Sequence, residues 1–99
     1  MSEALEGLWI KFLPEIERRV AILEAAAQAL TTGSLSKERR EAAHAEAHKL
    51  SGTLGMFGLH RGTDLARQAE VAFAEESAAS ATDLSLGIAE LRLLINRRK

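Results

Sequence analysis

Apolar residues recur along most of this chain at intervals of three and four, the period of one helix face. Between positions 43 and 57 they are Ala43, Ala47, Leu50, Leu54 and Phe57. Similar stripes run through Ile16, Val20, Leu23, Ala27 and Leu30, through Leu65, Ala69, Ala72 and Phe73, and through Leu84, Ile88, Leu91, Leu94 and Ile95. A shorter one near the start comprises Leu5, Leu8, Trp9 and Phe12. Each predicts an amphipathic helix with one face on a common core.

Punctuating residues set the predicted boundaries. Ser2 can cap a first short helix, with Glu3 and Glu6 in its opening turn. Pro14 disfavours helix at Leu13 and suits the first turn of a new one. A break is therefore expected near Leu13, with a second helix from about Pro14 to Leu30. Glu15, Glu17, Arg18, Arg19 and Glu24 would face water. Thr31-Thr32-Gly33-Ser34 reads as a loop, with Gly33 closing the helix before it. Ser34 or Ser36 can cap the next helix, which runs to about Met56 or Phe57. Gly58 can then turn the chain in a left-handed conformation. So short a connection makes the following helix, about His60 to Glu76, an antiparallel neighbour. Ser77 to Thr82 is small and polar, and Thr82 or Asp83 can cap a last helix. The expected fold is all-α: one domain over residues 1–99, an antiparallel up-down four-helix bundle with an additional short N-terminal helix.

Composition narrows this picture. Hydrophobic residues make up 46% of the chain but aromatic ones only 4%, so Ala and Leu must fill the core. That favours close-packed helices over a sheet. A net charge of −1 gives no field that would attract nucleic acid or an anionic membrane. The closing Arg97-Arg98-Lys99 run suits a helix C-terminus, where the dipole favours cations. The absence of cysteine excludes disulfides, thiol catalysis and cysteine-based zinc sites. It also fits a reducing compartment, and a cytoplasmic location is expected. No stretch approaches the roughly 20 apolar residues that span a bilayer.

Three histidines are the only side chains whose ordinary titration lies near neutrality. His60, beside Arg61, reads as a solvated residue at a helix start. His44 and His48 are four apart and share a helix face with Ser51, Gly52 and Gly55. Glycine inside a helix costs about 0.5–1 kcal/mol relative to alanine. Two of them on this face imply that something approaches it closely. A zinc-protease signature would need Glu directly after the first histidine, where this chain has Ala45. Glu41 and Glu46 do not clearly complete a ligand set, so no metal site is expected. Ser51 could touch His48, but no strand-turn-helix elbow surrounds it and no acid is evident to orient the imidazole. His48 remains as a nucleophile presented to another protein. A neutral imidazole can attack phosphorus and hold the phosphoryl group. Lys49 and Ser51 are the nearby donors, with Thr53 less well placed, and Gly52 leaves space one turn on. The alternative is a non-catalytic helical interaction module, in which Gly52 and Gly55 permit close helix packing and His48 is incidental.

Ala47-His48-Lys49-Leu50-Ser51-Gly52, followed by Gly58, closely resembles the signature of histidine-containing phosphotransfer (HPt) domains of two-component phosphorelays. The likeness continues through Leu65-Ala66-Arg67-Gln68-Ala69-Glu70 and covers about Ala43 to Glu76. It implies a helical bundle in which His48 accepts a phosphoryl group from a receiver-domain aspartate, or passes one back. The implied partners are a response-regulator receiver domain, a hybrid histidine kinase, or both. The implied Mg²⁺ belongs to the receiver, and the chain needs no cofactor of its own and has little activity alone. Lys49, Ser51 and Gly52 would support the phosphoryl group. His44 and Gly55 would lie in the docking footprint. Arg67 and Gln68 join them by position, because the hairpin at Gly58 returns the chain to the level of His48. One departure stands out: the family commonly has lysine three residues after the histidine, where this chain has Ser51.

Overall fold

The four longer stripes fold into four helices in a computed structural model that describes residues 3–75 and 81–99. They are α1 (Glu3–Thr31), α2 (Lys37–Met56), α3 (His60–Ala74) and α4 (Ala81–Arg98). No strand occurs among the described residues. The helices pack in a ring, α1 against α2 and α4, and α3 against α2 and α4. Contacts between neighbours run antiparallel. Phe57 near the end of α2 meets Trp9 near the start of α1, while Arg19 further along α1 reaches Glu46 earlier in α2. Across α1 and α4, Arg98 binds Glu6 and Arg92 binds Glu24.

The N-terminal segment is not an additional helix. α1 runs unbroken through Pro14. Proline at this position removes one backbone bond, the one that would reach the Ile10 carbonyl. Ile10 is 68% exposed and Pro14 also faces water, so solvent can take that carbonyl. Trp9 and Ile16, buried on either side of the proline, hold both halves on one core stripe. Trp9 meets Phe57 edge-on, with ring centroids 5.3 Å apart, and the Arg98 guanidinium lies 4.8 Å from its ring centre. The first turns of α1 therefore cover the end of their own bundle. The expected cap at Ser2 lies outside the described residues.

Most other boundaries follow the sequence. Gly33 and Gly58 both adopt positive φ, +73° and +72°. Each closes its helix with the paired backbone bonds of a Schellman turn: Ser34 N–H to Ala29 O and Gly33 N–H to Leu30 O, then Leu59 N–H to Leu54 O and Gly58 N–H to Gly55 O. Of the two candidate caps for α2, Ser36 is the one used; its Oγ accepts from Arg39 N–H at 3.1 Å. α3 stops at Ala74, because Glu75 is already extended. α4 begins at Ala81, so Thr82 and Asp83 lie inside its first turn and neither is the cap. Glu76 and the connection through Ser80 lie outside the described residues.

The core stripe of α2 is wholly buried: Ala43, Ala47, Leu50, Leu54 and Phe57. Leu65, Ala69 and Phe73 of α3 and Leu84, Ile88, Leu91 and Ile95 of α4 meet it. Of the glycines, Gly62 of α3 has the tightest surroundings. A Cβ there would sit 3.1 Å from the Leu54 Cδ1 atom. This glycine lets α3 lie tightly on α2, and the sequence gives it no special mark.

Candidate functional site

The outer face of α2 has its site side chains where the helical period puts them, four apart and pointing away from the core stripe. His48 is 72% exposed. Its Nδ1 lies 3.1 Å from Glu70 Oε2 on α3. A carboxylate at that distance accepts, so Nδ1 carries the proton. In the neutral ring the lone pair then sits on Nε2, which has no hydrogen-bond partner among the described residues. One residue thus fixes both the ring orientation and the tautomer. Glu70, 24% exposed, is the acid that sequence reasoning did not find.

His44 lies one turn earlier and is half-buried. Its Nδ1 is 2.8 Å from the backbone carbonyl of the same Glu70. Four residues before it, Arg40 Nη1 donates to Phe73 O at 3.1 Å. The last turn of α3 has no basic residue of its own. α2 supplies the donors that its carbonyl end favours.

Ser51 does not share the open face expected of it. It is buried at the α2–α3 seam, 7% exposed, and its Oγ donates to the His48 carbonyl at 2.7 Å. Its own carbonyl accepts from Thr63 Oγ1 at 3.2 Å. A hydroxyl is small enough for the seam and finds its acceptor within its own helix. Gly52, by contrast, is open. Nothing lies within 4 Å of where its Cβ would be, so internal packing does not require this glycine. Gly55 is also exposed, and a Cβ there would meet only Thr63 Oγ1, at an ordinary 3.5 Å.

Positive charge lies on the α1 side of α2. Arg19 donates to Glu46 Oε2 at 3.2 Å and to Thr53 Oγ1 at 3.3 Å. Arg18 pairs with Glu15, which holds the Glu15 carboxyl below the usual carboxylate range. Lys49 is exposed, with Nζ 4.0 Å from Glu46 Oε1. Arg67 and Gln68 are exposed on α3 and line a groove of about 430 Å³ between α3 and α4. Neither makes a hydrogen bond to His48. They stand near the right level of the hairpin, Arg67 about one turn before Glu70 and Gln68 on the far side of α3 from it. Glu70 reaches the histidine because helical side chains lean back toward their helix N-terminus. Among the described residues, no three His, Cys, Asp or Glu side chains are grouped to hold a metal ion.

The fold and site together define a class: a helical bundle that presents one oriented, exposed imidazole from a rigid hairpin. The chain belongs to the Hpt domain family, whose model matches residues 7–98. It is 36% identical over 66 residues to Protein RcaC of Microchaete diplosiphon. That alignment covers 67% of this chain and 10% of the relative, so the chain spans about a tenth of that protein's length. No solved structure matches it. Hpt domains take part in phosphotransfer in two-component relays and interact with receiver domains and kinases. Among the described residues, no helix is long and apolar enough to cross a membrane.

Proposed function

We propose that this chain is a phosphocarrier in which His48 Nε2 accepts a phosphoryl group from a receiver-domain aspartate and passes it on by the reverse step. The observation that supports this most directly is the Glu70 carboxylate at His48 Nδ1. With the proton held there, the neutral ring carries its lone pair on Nε2, the nitrogen that attacks. The N–P bond forms as the P–O bond of the aspartyl phosphate breaks, and the aspartate leaves as a carboxylate. Attack puts positive charge on the ring, and the Glu70 carboxylate stabilises it. The rest is positioning.

The open space over Gly52 supports close docking of the receiver beside His48. His44, Gly55, Arg67 and Gln68 form the rim of that footprint. Ser51 has its hydroxyl on the His48 carbonyl and so holds the helix rather than the phosphoryl group. Lys49, exposed one residue beyond the histidine, takes the supporting role. The Mg²⁺ is the receiver's. A cysteine-free chain with these partners fits the cytoplasm.

The test is phosphoryl transfer from a phosphorylated receiver domain, with the bound label checked for acid lability and base stability. The wild-type chain should take up such label and His48→Gln should take up none. Label retained by His48→Gln would overturn the assignment.

A further inference from the structure

We propose that His44 is a positioning residue for transfer at His48, acting through Glu70 in addition to its place on the docking rim. The inference rests on the assignment of His48 as phosphoacceptor.

Two separate bonds converge on Glu70. Its carboxylate holds His48 Nδ1 at 3.1 Å, and its backbone carbonyl is held by His44 Nδ1 at 2.8 Å. A carbonyl can only accept, so His44 carries its proton on Nδ1. The second bond fixes the residue that makes the first. This matters because Glu70 lies in the last turns of a helix that ends at Ala74. Helix ends fray, and the last four carbonyls, which lack intrahelical partners, begin directly after Glu70. Among the described residues the cap is one long bond, Glu75 N–H to Ala72 O at 3.3 Å. Arg40 holds a carbonyl three residues further on, that of Phe73. His44 and Arg40, one turn apart on α2, therefore clamp the end of α3 that carries the orienting carboxylate. His44 is the nearer of the two clamps to the reacting ring.

Its own position argues against a role in contact with the partner alone. His44 is half-buried, and its Nδ1 is committed to α3. A docking residue would not need that bond. The same bond predicts which replacement can substitute. An asparagine amide can place a donor close to the Nδ1 position, whereas leucine fills the volume without one.

The experiment uses the whole chain and phosphoramidate, a small donor that needs no docking surface. His48 Nε2 attacks phosphorus as the P–N bond breaks and ammonia leaves. His44→Leu should be phosphorylated about fivefold to tenfold more slowly, the scale of one lost hydrogen bond, and His44→Asn should stay within about twofold of wild type. The ¹⁵N shifts of the His48 ring should show the Nδ1–H tautomer in wild type and His44→Asn. They should show a mixture in His44→Leu and Glu70→Ala. In the Glu70→Ala background, which removes the acceptor, adding His44→Leu should slow the reaction no further. Three results would each overturn the inference: His44→Leu reacting at the wild-type rate, His44→Asn failing as badly as His44→Leu, or the His44 and Glu70 effects multiplying in the double variant. His44→Gln would be a poor substitute, because its amide extends past the Nδ1 position. The His48→Gln control keeps the two proposals apart. If it still takes up label, the site assignment fails. If it does not and His44→Leu is normal, only the positioning role fails.

Discussion

The seam between α2 and α3 is built differently from the two seams of α4. Across the first, three links end on backbone, Thr63 on the Ser51 carbonyl, His44 on that of Glu70 and Arg40 on that of Phe73, beside the His48–Glu70 side-chain pair. Gly62 brings Leu54 to within contact of the α3 backbone. Across the α4 seams the links join two long charged side chains. Arg92 grips Glu24 at 2.8 Å, Arg61 grips Glu90 at 2.6 Å, Arg98 grips Glu6 at 2.5 Å, and Lys99 meets Glu17. A backbone acceptor moves only with its helix, so it fixes an axial position. Two flexible side chains can keep their ion pair while the helices shift. The bundle thus places its stiff links where an imidazole must be aimed and its compliant ones where only cohesion is required.

The largest test of that contrast is in the core. Leu54 is fully buried against Gly62, with no room for the seam to close further. Leu54→Ala should cost about 3 kcal/mol in urea unfolding. Leu94, only partly buried on the α4 side, should cost about 1–2 kcal/mol when changed to alanine. Equal losses would mean that the two sides are equally tight.

Two glycines sharpen the contrast within the hairpin itself. Gly58 holds φ +72° at the turn, and Gly58→Ala should destabilise by about 1–2 kcal/mol. Gly52 lies mid-helix with open space around it, so Gly52→Ala should instead stabilise by up to about 1 kcal/mol. Opposite signs are expected from chemically identical changes. Gly52→Gln should keep the fold yet slow transfer from a receiver. An unchanged rate would remove close docking as the reason for this glycine.

These contrasts also separate what the sequence revealed from what it did not. The stripe from Ala43 to Phe57 was legible because burial on one helix face repeats every three or four residues. Gly33 and Gly58 were legible because few residues adopt positive φ. His48 stood out through local neighbours, Lys49 to Gly52, and through its family resemblance. Glu70 did not, although it lies within the resembling stretch. Its role depends on the register between two helices and on the lean of a side chain, and neither is written in local spacing. Ser51 was misplaced for the same reason. It stands 300° around the helix from His48, close enough to seem on one face, yet the packing of α3 takes it into the seam. Pro14 misled in the other direction. A proline costs most where the lost bond is buried, and here it is exposed to water.

The smallest expected effect lies on the α3–α4 side. The Arg61 guanidinium, bonded to Glu90, holds that carboxyl below the usual carboxylate range. A depressed carboxyl contributes stability that is fully present above its unfolded value and is lost as pH falls through its folded one. Arg61→Ala should therefore lower the thermal midpoint slightly at neutral pH, and the gap from wild type should close as pH falls through the lowered folded value of the Glu90 carboxyl. The pair is exposed, so about 1 M salt should close the gap as well. The Leu54→Ala deficit should survive both treatments, because burial of a leucine involves no titrating group. An Arg61→Ala gap that persisted in acid and in salt would show that the arginine acts through packing of its aliphatic stem. The α3–α4 seam would then be held by shape, as the α2–α3 seam is, and the division between stiff and compliant sides would have to run between α1 and α4 alone.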